Sequence, residues 1–214
     1  TSKSKPVNTM RWTLILLLVR MSKDQYRLEL TTKKQIQHLL TEYHYLAKQS
    51  ITFKSGFNVG LFCQDEIVGA CVFTGFPVPE LAKGCFGLER DQQEGLFELS
   101  RFVLRPDHQQ SEYNLSSWFL SRSLKFLKAN KQPVKAVLSY ADSHYHDGTL
   151  YKACNFSYHG LTDKKSDFWI QQPDGSFKKH ARGSVRHLKG EWRPRTQKHR
   201  FLQVYDKSLQ CLWN

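Results

Sequence analysis

At 214 residues, with 40% hydrophobic and 13% aromatic content, the chain has enough apolar material for one domain with a sizeable core, which excludes a disordered class. Its 32 Lys and Arg against 19 Asp and Glu give a formal net charge of +13, a balance that favours nucleic acid or another anionic surface as partner. The five cysteines form no C-x-x-C pair and several lie in apolar runs, so reduced, buried thiols of a cytoplasmic protein are expected and zinc ligation through cysteine is disfavoured.

Thr13 to Val19 is apolar and flanked by Arg11 and Arg20. It is far shorter than the roughly 20 residues of a membrane-spanning helix, so a buried strand or docking segment and no membrane partner are expected. Tyr26, Leu28 and Leu30 then alternate as a strand. Thr31 and Thr32 offer caps to a helix carrying Ile36, Leu39, Leu40 and Tyr43. Asn58 to Phe62 and Ile67 to Gly75 read as a hairpin turning at Gln64 to Glu66. The Gly- and Pro-bearing stretch from Pro77 to Gly95 reads as a long loop suited to a lid.

Leu99, Phe102 and Leu104, interrupted by Glu98, Ser100 and Arg101, read as a strand that stops at Arg105 and Pro106. Strict alternation puts Arg101 on one face and Glu98 on the other, unless a bulge shifts the register. Arg101 is the preferred site residue, because a guanidinium grips a phosphate or carboxylate with two N–H groups. Leu115, Trp118, Phe119, Leu120, Leu124 and Leu127 keep helical spacing, and Asn114, Ser116 and Ser117 fall where open amides can face an anion. An ordinary strand, turn and helix fits the same pattern.

Val134 to Tyr140 is a near-continuous apolar strand, followed by a short helix over Gly148 to Cys154. Phe156 to Leu161 and Asp167 to Gln171 fit two more strands. This order predicts an α/β protein with a mixed sheet covered by helices. Asp142, His144, His146 and Asp147 follow the apolar strand, where open α/β sheets place ligands, and offer general bases or metal donors. No third metal ligand is fixed by local spacing. His44, at the end of the first helix, reads by itself as a cap or dipole partner.

From Phe177 to Arg200 basic residues crowd together, among them Lys178, Lys179, Arg186, Arg193, Arg195 and Lys198, with Glu191 the only acid in that span. Such clustering suits phosphate-backbone contact, with Trp192 and Phe201 available for stacking; a solvated basic tail is the alternative. The expected organisation is an N-terminal extension over 1–24, a catalytic domain over 25–176 and a basic DNA-contacting extension over 177–214.

The element order resembles the GNAT-type acyltransferase fold, and the chain resembles the Mom family of phage DNA-modification proteins. The resemblance rests on His44-Tyr45, the Gly56 to Gly75 hairpin, Glu98-Leu99-Ser100-Arg101, Ala141-Asp142 with His146 and Gly148, Tyr151 to Phe156, and Tyr158-His159-Gly160. It covers residues 25 to 170. It implies a transferase that adds a carbamoylmethyl group to adenine N6 in duplex DNA, protecting phage DNA from restriction in the host cytoplasm.

The donor implied is acyl-CoA-like, with Ser100, Asn114, Ser116 and Ser117 as its contacts. Glu98, Arg101, His44 and Tyr151 would sit at the reaction site, with Asp142 the first choice for the polar contact at N6 and His146 the second. Iron is the metal implied, with His44 and Asp142 as ligands. The glycine-rich pyrophosphate loop of the wider GNAT pattern is absent from Asp107 to Asn114. A small-molecule N-acyltransferase would share the fold without needing the basic extension, and a non-catalytic DNA-binding protein would leave the Asp/His loop unexplained. The sequence leaves monomer and homodimer open.

Overall fold

The computed structural model describes residues 23–45, 53–180 and 183–213. The apolar run from Thr13 to Val19 lies outside them. Among the described residues, ten strands and five α-helices follow in order: β1 (Tyr26–Leu30), α1 (Lys33–Glu42), β2 (Phe57–Cys63), β3 (Glu66–Gly75), α2 (Pro79–Phe86), β4 (Leu96–Leu104), α3 (Pro106–Ser111), α4 (Leu115–Asn130), β5 (Ala136–Asp142), α5 (Thr149–Ala153), β6 (Ser157–Leu161), β7 (Lys165–Gln171), β8 (Phe177–Lys179), β9 (Gly190–Arg195) and β10 (Lys198–Val204). A seven-stranded sheet runs β1-β2-β3-β4-β5-β10-β6, and a three-stranded sheet runs β8-β7-β9. Only β4 and β5 pair in parallel among the described strands.

Local chemistry sets the first helix. Gln35 N donates to Thr32 Oγ1 at 3.3 Å, and Thr32 N donates to Gln35 Oε1 at 2.8 Å, a reciprocal cap that satisfies two otherwise open donors. Ile36, Leu39 and Leu40 then pack on Ala70, Val72 and Val103. The alternate residues Cys71 and Phe73 pack with Phe119, Leu120 and Leu124 of α4. β3 is therefore covered on both faces, which explains its continuous apolar run. Each fully buried Leu or Phe on α4 contributes about 1.5–3 kcal/mol. No described helix is long and apolar enough to cross a membrane.

Two expectations about organisation change. The stretch from Pro77 to Gly95 is not a lid loop, because α2 occupies much of it. Its Pro79 stands in the first turn, Gly87 ends it at φ 70°, and Ala82, Cys85 and Phe86 pack on Leu96, Ala136, Leu138 and Leu202. The Gly and Pro that suggested a loop are the caps of a short helix.

The boundary at residue 177 also fails to mark an appended arm. β10 is inserted between β5 and β6, and its Phe201 and Leu202 are fully buried. Phe201 is thus core and cannot stack on a partner. β8 and β9 pair with β7, so the basic stretch is built into both sheets.

Candidate active site

A cavity of about 360 Å³ opens where the parallel ladder between β4 and β5 stops. The last partners are Leu99 and Ser139, although both strands continue beyond them. On its other side β4 carries a bulge: Val72 faces Arg101 and Phe73 faces Leu99, so Ser100 is the extra residue. The bulge breaks the alternation expected from the sequence. The cavity wall combines Tyr43 to Tyr45, Leu99 to Leu104, Gln109, Ser116, Tyr140 with Ala141, and His146 to Tyr151.

Gly148 fixes where α5 sits. It precedes α5 at φ 79°, and a Cβ there would lie 2.0 Å from the Phe201 ring. Only glycine lets the helix approach β10 this closely. Tyr151 on α5 contacts the ring of Phe201 at 5.0 Å between centroids. Burial pushes its hydroxyl up to about 12, so it is a proton donor near neutral pH. Asp147 accepts from Thr149 N at 2.9 Å and Thr149 Oγ1 at 2.8 Å, a turn that leads into α5.

Charge and rings divide the site. Arg101 donates from Nη1 to Ser100 O at 2.6 Å. Burial first, then the charge of Arg101 and of His146, push His44 down to about 4, so its imidazole is neutral at pH 7. Tyr45 stacks on His44 at 4.6 Å and lies 5.2 Å from both Tyr145 and His146. Half-buried Glu98 has its carboxyl raised by burial, opposed by Lys198, Arg101 and Lys54. Burial lowers Lys198, against the pull of Asp142 and Glu98. Arg101 is thus within electrostatic range of Glu98, although no ion pair joins the two among the described residues.

The model of the Mom protein family matches residues 25–211. The chain belongs to the Mom protein family. The match extends through β10, past the residues that carried the sequence resemblance. No curated protein matches the chain.

Among solved structures this Mom family chain is similar to the IAA acetyltransferase from Bacillus cereus ATCC 14579, at 12% identity and a TM-score of 0.51, over 84% of this chain and 99% of that one. It is similar to the ribosomal-protein-S18-alanine N-acetyltransferase from Escherichia coli at 10% identity and 0.51, over 85% and 94%. A GNAT family acetyltransferase from Elizabethkingia anophelis with acetyl-CoA bound gives 14% and 0.50, over 86% and 100%. At such identities the likeness is one of fold, and the fold is GNAT-like.

The Mom family chain places its expected site residues unevenly. His44, Ser100, Arg101, Ser116, His146 and Tyr151 line the cavity. Asp142 is not among the lining residues. It is 6% exposed, with Oδ1 accepting from His144 N at 3.1 Å and Oδ2 from Thr196 Oγ1 at 2.8 Å. These bonds tie the loop after β5 to Thr196. Glu98 also lies outside the wall and acts through its field. Ser117 Oγ donates to Asn114 O at 3.2 Å, and Asn114 adopts φ 58° without capping through its side chain. Both are absorbed by the entry to α4.

The residues do not fit an iron centre. Among the described residues no three His, Cys, Asp or Glu side chains gather to hold a metal. Asp142 lies outside the cavity wall that His44 lines, and His44 feels the positive charge of Arg101, which disfavours a cation beside it. Lys198, expected as a phosphate contact, instead faces Glu98, Asp142, Arg195 and Arg101 through its field. The signal for this was the apolar pair Phe201-Leu202 that directly follows Lys198, His199 and Arg200 on the same strand.

The remaining basic residues mostly share the small sheet. Lys179 Nζ lies 2.6 Å from Asp167, Arg195 lies 3.9 Å from the same carboxylate, and Arg193 lies 2.5 Å from Glu191. Arg193 also covers the rings of Trp169 at 4.9 Å and Phe177 at 4.4 Å. Lys178 and Arg186 are exposed, as is Trp192 at 61%. The basic stretch is thus less unopposed than its composition suggested, since Asp167 comes from outside it.

Proposed function

We propose that this protein is a transferase that modifies adenine N6 in duplex DNA, adding the carbamoylmethyl group associated with the Mom family and drawing on an acyl-CoA-like donor. The cavity at the interrupted β4–β5 ladder carries the reading. A GNAT-fold neighbour solved with acetyl-CoA bound supports the donor class. Exposed Lys178 on β8 and exposed Arg186 in the connection from β8 to β9 support a polyanionic acceptor.

The adenine amino group is a weak nucleophile because its lone pair is delocalised into the ring, so attack needs close positioning and removal of a proton. The base must also leave the helix stack to reach a side-chain pocket. Tyr45 offers a ring face for it in the cavity wall, with Tyr145 5.2 Å away, and the neutral imidazole of His44 lines the same wall. Glu98, with its raised carboxyl, is the proton acceptor of this scheme, acting through an intervening group because it lies outside the wall. Tyr151 supplies a proton to the leaving group. Arg101 and Ser116 hold the anionic part of the donor. Acyl transfer joins N6 to a carbonyl carbon, whereas a carbamoylmethyl group is joined through its methylene and carries an amide nitrogen. Transfer from an acyl-CoA-like donor therefore does not complete the product, and further chemistry must both reposition the bond and supply that nitrogen.

The test is mass spectrometry of nucleosides from cells expressing the protein. A modified deoxyadenosine, together with resistance of that DNA to restriction enzymes that cut at adenine-containing sites, supports the reading. Unmodified DNA beside an acylated metabolite would instead favour a small-molecule N-acyltransferase.

A further inference from the structure

Outside the cavity, Cys85 at the end of α2 and Cys211 in the C-terminal tail bring their sulfurs to 3.9 Å. Both are free thiols, and neither lines the cavity. The backbone already joins the two segments, because Leu212 N donates to Cys85 O at 2.8 Å. Cys85 is fully buried, whereas Cys211 is partly exposed and reachable from solvent.

The surroundings suit sulfur chemistry. His159 Nδ1 lies 3.6 Å from Cys211 Sγ, close enough to take its proton. His159 belongs to the Tyr158-His159-Gly160 motif, which the cavity does not use. Arg200 places its guanidinium 4.7 Å from the Trp213 ring and favours a thiolate at Cys85, against the burial and the neighbouring Cys211 that push that thiol up. Arg200 Nε is buried and finds no hydrogen-bond partner among the described residues. A positive neighbour suits a thiolate and repels a bound cation, and no metal-binding trio is found among the described residues.

We propose that Cys85 and Cys211 form a reversible disulfide by exchange with a small-molecule disulfide, fastening the C-terminal tail to α2. The Cys211 thiol gives its proton to His159, and the thiolate attacks one sulfur of the small disulfide. One thiolate of that compound leaves and a mixed disulfide forms at Cys211. Conversion of Cys211 removes the charge that opposed ionisation of Cys85. The Cys85 thiolate then attacks the Cys211 sulfur and expels the second small thiolate. In sum, two protein thiols become one disulfide, and one small disulfide becomes two thiols.

The experiment equilibrates the full chain with glutathione disulfide, alkylates it and counts thiols. The five free thiols should fall to three, five less the two joined, with one peptide pair containing Cys85 and Cys211. The thermal midpoint should rise by roughly 5–10 °C and return with a reducing agent. Cys211→Ser should abolish both changes, Cys63→Ser should keep them, and His159→Asn should slow formation without changing its final extent. Five thiols remaining, glutathione retained on Cys211, or a different cysteine pair would each overturn the proposal.

Discussion

Replacing Gly148 by alanine tests the packing that positions α5. The residue sits at φ 79°, where a side chain costs about 1–2 kcal/mol. The new Cβ would also lie 2.0 Å from one Phe201 ring atom and 2.1 Å from another, with the ring fully buried and unable to swing into solvent. Overpacking of this kind adds about 1–3 kcal/mol, for a total near 2–5 kcal/mol. Two other glycines separate the contributions. Gly175 has φ 81° with nothing within 4 Å of its Cβ position, so its alanine variant should lose only about 1–2 kcal/mol. Gly84 lies inside α2 in open space and should gain about 0.5–1 kcal/mol as alanine. Urea unfolding of the three variants reads these values as shifts in midpoint at constant slope. If Gly148→Ala and Gly175→Ala agree within about 0.5 kcal/mol, the clash with Phe201 is not limiting and the reasoning fails.

Glu98 should make stability depend on pH: its carboxyl is raised in the fold, so the native state holds the proton longer than the unfolded chain. Stability is then fully present below the unfolded value and lost as pH rises through the folded one. Glu98→Gln should flatten that loss and abolish modification, and an unchanged pH profile of unfolding would exclude the assignment. Asp142→Ala should destabilise by about 1–3 kcal/mol through the groups left without an acceptor, read as a fall in unfolding midpoint. Removing Lys178, Arg186 and Arg195 together should flatten the salt dependence of DNA binding by up to about 0.9 in slope per lost phosphate contact, whereas Lys198→Ala should leave the slope alone and lower modification. Asp167→Asn should strengthen DNA binding at low salt by releasing Lys179 and Arg195, which titrations at two salt concentrations would show.

Legibility followed the range of the forces involved. The cap at Thr32, the hairpin at Gln64 to Glu66 and the apolar stripe of α4 are local patterns, and the sequence shows them. α2 was hidden because its Pro79 and Gly87 were read as loop residues. The bulge at Ser100 is a relation between two strands, so no pattern within β4 reveals it. Asp142 looked catalytic from its place after an apolar strand, but its hydroxyl partner Thr196 is 54 residues away in sequence. The cavity residues His44, Arg101, His146 and Tyr151 were reached through the family resemblance and local polarity together. The neutrality of His44 was not legible, because burial and, after it, the charge of Arg101 impose it only after folding.

The position of β10 bears on how the chain is made. A ribosome delivers residues in order, yet β10 fills the slot between β5 and β6, both of which emerge long before it. Until Val204 has left the exit tunnel, β5 presents an open hydrogen-bonding edge and β6 lacks its neighbour in the large sheet. The nascent chain therefore passes through an interval in which a hydrophobic strand edge is available to other chains, a point where chaperone binding is of most use. A synonymous slowdown of synthesis before residue 198 would therefore lengthen the exposure rather than help folding.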